Sequence, residues 1–210
     1  LYGLPYQTIE TVVDTVDKII SLDPDRVALF GYAHVPWMKK HQTMIPQQAL
    51  PDAISRYRQM KTAADMLIDA GYEAVGIDHF AKPGDTLARA VKEGELRRNF
   101  QGYTDDSADA LIGFGASSIG RFQQGYVQNI VATGEYERMA NADGLCTARG
   151  IALSVEDRVR AFIIERIMCD FSLDLSALHA LYGPASLPAV EEAHQFAKGD
   201  RDGLVHLEAG

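Results

Sequence analysis

The 210-residue sequence predicts an α/β protein with an alternating front part and a mostly helical back part. Three observations carry this. Helix-period runs and strand-like apolar runs alternate from Thr8 to about Gly120, the order expected of a parallel sheet with right-handed crossovers, either doubly wound or barrel-like. Beyond about Gln123 the pattern turns helical. A composition of 47% hydrophobic and 23% charged residues is that of a globular chain able to bury one large core or two modest ones.

Taken in order, Thr8 caps a helix whose Val12, Val13, Val16, Ile19 and Ile20 recur at helical spacing, and Asp23-Pro24 ends it. The run RVALFGY from Arg26 reads as a buried strand. A second helix over Pro51 to Ala70 is expected to turn Ile54, Tyr57, Met60, Ala64, Met66 and Leu67 to a core, with Gly71 as its C′ glycine. YEAVGIDHF then reads as one strand, Thr86 to Glu93 as a short helix, and ALIGFGASSIG as a further strand in which Gly113 and Gly115 permit close backbone approach. Helical patterns follow over Tyr126 to Ala140, Ser154 to Phe171, Leu173 to Tyr182 and Pro188 to Lys198, and the terminal GLVHLEAG reads as the start of a hairpin strand. A domain boundary is expected within 126–150.

The net charge of −9 and the scattered Lys and Arg residues disfavour nucleic acid as a partner. No apolar run approaches the roughly 20 residues of a membrane span, so no membrane insertion and a cytoplasmic location are expected. Cys146 and Cys169 lack the short spacing of a metal site and read as plain thiols.

Four unusual strings sit where strand-like runs give way to polar loops, the places where α/β proteins keep their chemistry: YGLPYQT at Tyr2, GYAHVPWMKKHQ at Gly31, GIDHFAKP at Gly76 and RNFQGYT at Arg98. His34 and His41 at one strand exit and Asp78 and His79 at the next could form a zinc or iron site, while the plainer reading makes His34 and His79 hydrogen-bonded residues that orient loops. Lys39 and Lys40 read as a solvated basic pair or as contacts to an acidic substrate. Arg98 can grip a carboxylate and Phe100 and Tyr103 can cover a flat ligand, or the arginine can pair with Asp105 or Asp106 over a filled core. GFGASSIG is a tight strand end or a backbone platform for a nucleotide-like ligand. It lacks the third glycine and acidic residue of a dinucleotide fingerprint.

Read jointly and in this order, YGLPYQT, YAHVPWMKKHQ, DHFAKP, RNFQGYT and GFGASSI closely resemble the C-terminal part of the oxygen-independent coproporphyrinogen III oxidases, radical S-adenosylmethionine enzymes of haem biosynthesis. The match is dense from Tyr2 to about Ile119 and thinner from Arg149 to Asp174. The resemblance implies the C-terminal half of a partial (β/α)6 TIM-type barrel over 1–125, a linking segment over 126–150 and an incomplete, mostly α-helical C-terminal domain over 151–210. It implies decarboxylation of two propionates of coproporphyrinogen III to vinyl groups, giving protoporphyrinogen IX. In such enzymes a [4Fe-4S] cluster, supplied by an electron donor, cleaves S-adenosylmethionine, of which two molecules are held, and the resulting radical abstracts hydrogen from the propionate. Ala33 of the YAH string is implied as a contact to one S-adenosylmethionine and Ile119 of GFGASSI as a contact to the adenine of the other. On charge grounds Lys39, Lys40, His79 and Arg98 are the candidates for the tetra-acid substrate.

The family's CxxxCxxC cluster motif has no counterpart among these residues, and the sequence opens inside the family's longer DLxYGLPxQT pattern, without the aspartate expected just before Leu1. It therefore reads as a C-terminal fragment whose cluster-binding half is absent, inactive alone. Two other functions compete with this reading: a non-catalytic haem-binding or haem-chaperone relative, and a metal hydrolase using His34, Asp78 and His79.

Overall fold

The computed structural model describes residues 1–142 and 144–208. The chain forms two compact units, one of residues 1–96 with 103–105, the other of residues 97–102 with 106–210.

In the first unit, helix α1 (Ile9–Leu22) starts at a capping box between Thr8 and Thr11 and stops at Asp23, which is left-handed (φ 52°). Strand β1 (Arg26–Ala28) leads to the long loop of the GYAHVPWMKKHQ string. Helix α2 (Ala53–Asp69) is capped by the Asp52 carboxylate, which accepts from Ser55 N, and gives way at Gly71 (φ 92°). Its buried stripe is Gln59, Ala63 and Leu67, whereas Ile54 and Tyr57, expected inside, are exposed. Leu67 is buried as expected and Ala64 and Met66 pack against the core, while the buried Gln59 bonds to Gly3 N and Gln7 O.

YEAVGIDHF does not make one strand. Gly76 adopts φ 58°, and the chain doubles back into a hairpin of β2 (Glu73–Val75) and β3 (His79–Ala81). The sheet has the order β1-β3-β2, and both pairings are antiparallel. The expected parallel sheet is thus replaced here by an antiparallel one, and Tyr2↔Gly31 adds a single parallel bridge. Val12 and Val16 of α1, Ala63 and Leu67 of α2, Tyr72 and Phe80 form the core. Helix α3 (Thr86–Glu93), capped by Asp85 and ended by the left-handed Gly94, follows the sequence expectation. The two-residue strands β4 (Arg97–Arg98) and β5 (Tyr103–Thr104) stand at the two ends of the RNFQGYT string, β4 starting one residue before it.

The second unit, to which β4 belongs, continues with loop 106–118, strand β6 (Ile119–Phe122) and strand β7 (Gly125–Asn129). ALIGFGASSIG is mostly loop: Leu111 is bridged to Arg121 and only its last two residues, Ile119 and Gly120, enter β6, after Gly115 (φ 98°) and Ser117 (φ 62°) bend the backbone. Tyr126 begins no helix. It sits in β7, and the helix α4 (Thr133–Asn141) starts later. Strand β8 (Thr147–Ala152) completes an antiparallel sheet of order β6-β7-β8. The helices α5 (Val155–Asp170), α6 (Leu175–Tyr182) and α7 (Leu187–Gly199) match the predicted helical tail, α5 starting at a capping box between Ser154 and Asp157. Residues 203–208 form no strand, and Ala209 and Gly210 of the predicted hairpin lie outside the described residues. The architecture is mixed α/β with a helical C-terminal region, and its described strands close no barrel. No helix among the described residues is long and apolar enough to cross a membrane.

Candidate functional site

In the first unit three of the four strings are tied together by backbone and amide hydrogen bonds. Tyr2 N donates to Phe30 O at 3.0 Å and Tyr32 N to Tyr2 O at 2.7 Å, laying YGLPYQT beside the exit of β1. Gln59, 1% exposed, accepts from Gly3 N at 2.9 Å and donates to Gln7 O at 2.8 Å. Arg56 donates from Nη2 to Tyr32 O at 2.9 Å. Buried Gln42 pins the next loop in the same manner, donating to Ala33 O at 3.1 Å and accepting from Val35 N at 2.6 Å. A buried amide that meets one donor and one acceptor fixes both segments, since leaving either group dry and unpaired costs about 1–3 kcal/mol.

His79 is the most constrained of the predicted residues. Its Nδ1 lies 2.7 Å from Asp78 Oδ1, and its ring meets Phe30 and Tyr103 edge-on at centroid distances of 5.6 and 5.1 Å. Tyr103 covers Gly76, where a Cβ would come within 2.1 Å of the phenol ring, and its hydroxyl accepts from Ile77 N. With Nδ1 turned to Asp78, Nε2 is the ring atom left for a ligand. Ala33 is exposed at the strand exit, its carbonyl held by Gln42. Lys39 and Lys40 stand exposed at the start of a 3-10 turn, Lys40–Met44.

The metal-hydrolase constellation is corrected by this geometry. Asp78 is taken up by His79, and His34 Nδ1 lies 3.4 Å from the Tyr32 hydroxyl. Among the described residues no group of three or more His, Cys, Asp or Glu side chains is placed to hold a metal ion.

Arg98 and Ile119 belong to the second unit. Ile119 is half-buried at the start of β6, directly after a loop held by side-chain amides: Asn129 Nδ2 donates to Gly113 O (3.0 Å) and Gly115 O (3.1 Å), and Gln128 Nε2 to Ser117 O (3.0 Å). The Tyr136 hydroxyl accepts from Gly115 N, and Ser118 Oγ donates to Phe114 O. Arg98 lines a cavity of about 700 Å³ together with Phe100, Arg121, Tyr126, Arg158 and Tyr182. Phe100 and Tyr126 meet edge-on at 5.1 Å, and Phe162 and Tyr182 at 6.1 Å. Glu165 accepts from Arg98 N at 3.3 Å and lies 3.7 Å from Arg97 Nη1. Burial pushes the Tyr182 phenol up, opposed by Arg158 and reinforced by Glu165.

Sequence reasoning missed Gln42, Gln59 and Arg56, which look like surface residues, although Gln59 shares the i, i+4 stripe with Ala63. It also missed Arg121, Arg158 and Tyr182, which come from separate elements with no local motif.

No family model matches the chain. It is 56% identical over 173 residues to the oxygen-independent coproporphyrinogen III oxidase of Paracoccus denitrificans, covering 82% of this chain and 38% of that protein. To the protein of the same description from Bradyrhizobium diazoefficiens it is 50% identical over 208 residues, 99% of this chain and 46% of the relative. A solved structure described as coproporphyrinogen III oxidase (HemN) from Escherichia coli, a radical SAM enzyme, matches with a TM-score of 0.88 at 35% identity, covering 99% of this chain and 48% of that one. The chain thus spans about half the length, or less, of these relatives. Over essentially its whole length, the chain is homologous to one part of the oxygen-independent coproporphyrinogen III oxidases and shares the fold of that part of the radical SAM enzyme.

Proposed function

We propose that the chain forms the part of an oxygen-independent coproporphyrinogen III oxidase that contacts substrate and S-adenosylmethionine. The observation that carries this is 50% identity over 99% of the chain to a curated oxidase. In this reading residues 1–125 belong to the radical SAM barrel, 151–210 to the helical domain, and 126–150 join them. The reaction removes two propionate carboxyl groups of coproporphyrinogen III as carbon dioxide and leaves vinyl groups.

The chain's own residues do not fit an iron-sulfur cluster. Cys146 sits in a loop with its thiol against the carbonyls of Tyr136 and Gly144, and Cys169 is a buried thiol pushed up to about 11 by burial, far from the thiolate a cluster needs. No step through a cluster is assigned to these residues. In this reading S-adenosylmethionine would be met by Ala33, an exposed small side chain on a strand exit held by Gln42, and by Ile119, a half-buried apolar side chain at the start of β6 after a loop held by Asn129 and Gln128. Bound S-adenosylmethionine would supply the radical that oxidises the substrate side chain. In this reading His79, oriented by Asp78, presents Nε2 to the substrate, while Arg98, Lys39 and Lys40 attract its carboxylates.

Exchanging this chain for the matching segment of the Paracoccus denitrificans relative tests the proposal. The chimera should support anaerobic growth of a bacterial strain that lacks its own oxygen-independent oxidase, without added haem. A chimera that accumulates in folded form and gives no growth would count against it.

A further inference from the structure

We infer that Tyr103 is a positioning residue for His79: it holds the turn at Gly76 and the imidazole ring so that Nδ1–H donates to Asp78 and Nε2 of the neutral ring is left as an acceptor for the substrate. This deepens the oxidase reading above, in which His79 presents Nε2, and rests on it.

The backbone of His79 is fixed on both sides. Strand β3 is central in its sheet, His79 stands opposite Ala28 of β1 and Val75 of β2, and Leu29 N donates to Asp78 O at 2.7 Å. Successive side chains along a strand point to opposite faces, so neighbours within a strand do not meet. Asp78 reaches Nδ1 of the next residue because it precedes β3 and still belongs to the turn 76–78. The shape of that turn therefore decides whether the pair forms.

Tyr103, 7% exposed, holds the turn and the ring together. Its hydroxyl accepts from Ile77 N at 3.1 Å, and its ring covers Gly76 (φ 58°), where a Cβ would come within 2.1 Å of the phenol. The same ring meets the imidazole edge-on at 5.1 Å and 85°, and Phe30 adds a second edge contact at 5.6 Å, which together restrain rotation of His79. The consequence is a tautomer. An ionised carboxylate only accepts, so a neutral ring 2.7 Å from Asp78 carries its proton on Nδ1, and Nε2 keeps its lone pair. Neutral His79 then takes an N–H or O–H of the substrate and not a carboxylate.

Nitrogen-15 NMR of the histidine-labelled 210-residue chain reads this tautomer, with His79→Ala to assign the signal. The wild type should show one form, Nδ1 protonated, and Tyr103→Leu a mixture of both. In the chimera, Tyr103→Leu should lower kcat/KM for coproporphyrinogen III tenfold or more, about 1.4 kcal/mol, with S-adenosylmethionine affinity unchanged. Tyr103→Phe, which keeps the ring and loses the bond to Ile77 N, should recover part of the loss. In a His79→Ala background Tyr103→Leu should cost less than about twofold, since a residue that acts through His79 has nothing left to act on. Circular-dichroism melting confirms that each variant is folded, and if Tyr103→Leu is not, the tautomer of Tyr103→Phe decides. If His79→Ala is too slow to measure, the NMR spectrum decides. A wild-type ring protonated on Nε2, a folded Tyr103→Leu chain that keeps a single tautomer, or a full tenfold loss in the His79→Ala background overturns the inference. An inactive wild-type chimera with a tautomer that responds to Tyr103→Leu would sink the oxidase reading and leave this positioning role standing. An active chimera with an indifferent tautomer would do the reverse.

Discussion

Replacing Gln59 by leucine should loosen the whole N-terminal string from α2, and the size of the effect follows from two hydrogen bonds. Gln59 is 1% exposed, and its amide accepts from Gly3 N at 2.9 Å and donates to Gln7 O at 2.8 Å. Leucine has a similar volume, so no large cavity opens, but the buried Gly3 N–H and the half-buried Gln7 carbonyl both lose their partner. At about 1–3 kcal/mol for a stranded buried group, and less for the half-buried one, the loss is about 2–4 kcal/mol. With a urea slope of about 2 kcal/mol/M, the midpoint of the transition should fall by about 1–2 M. Gln59→Glu keeps the acceptor for Gly3 N, yet sets a charged oxygen against the Gln7 carbonyl and should not rescue. Hydrogen–deuterium exchange of the peptide covering residues 1–8 should speed up in both variants. A Gln59→Leu midpoint within about 0.3 M of wild type, with unchanged exchange, would refute the role given to this amide.

Other consequences can be measured alongside it. In the chimera, Ile119→Asp should weaken S-adenosylmethionine binding by orders of magnitude, since an uncompensated carboxylate against an apolar ring costs several kcal/mol, while Ile119→Val should cost about 0.5–1.5 kcal/mol. Iron content should be the same in both, and wild-type cofactor affinity in a folded Ile119→Asp protein would remove Ile119 from the adenine site. Cys169 carries a pH signature: burial raises its folded value from 9.0 to about 11, so between those values the unfolded chain has released a proton that the folded chain retains. Its contribution is therefore fully present below pH 9 and lost as pH rises toward 11. Iodoacetamide at pH 8 should alkylate Cys169 far more slowly than a free thiol, and labelling at a free-thiol rate would contradict its burial.

The helices were legible in the sequence wherever caps and periodicity agreed. Thr8, Asp52, Asp85, Ser154 and Asp174 each cap the helix that follows, and these local hydrogen bonds need no tertiary information. Strands were less legible. YEAVGIDHF has the composition of one buried strand, and the left-handed Gly76 that splits it is a conformational choice stabilised by the Tyr103 ring 27 positions on. Tyr126–Asn129 was read as helix because its pattern merges with that of α4, whereas its pairing with β6 and β8 depends on residues outside any local window. Of the strings, YGLPYQT and GYAHVPWMKKHQ run mostly through loop, whereas His79–Ala81 of GIDHFAKP form β3, and His79 is held by Asp78. The side chains that hold the loops, Gln42, Gln59 and Asn129, are polar residues whose burial is set by distant backbone groups.

The most direct test of the central proposal is anaerobic turnover by the purified chimera, loaded with cluster and supplied with S-adenosylmethionine and a chemical reductant. With coproporphyrinogen III as substrate, mass spectrometry of the oxidised products should show successive loss of two carboxyl groups, ending at protoporphyrin IX. A folded, cluster-loaded chimera that binds haem or porphyrin and leaves all four carboxyl groups in place would contradict the account and favour a haem-handling protein built on the same fold.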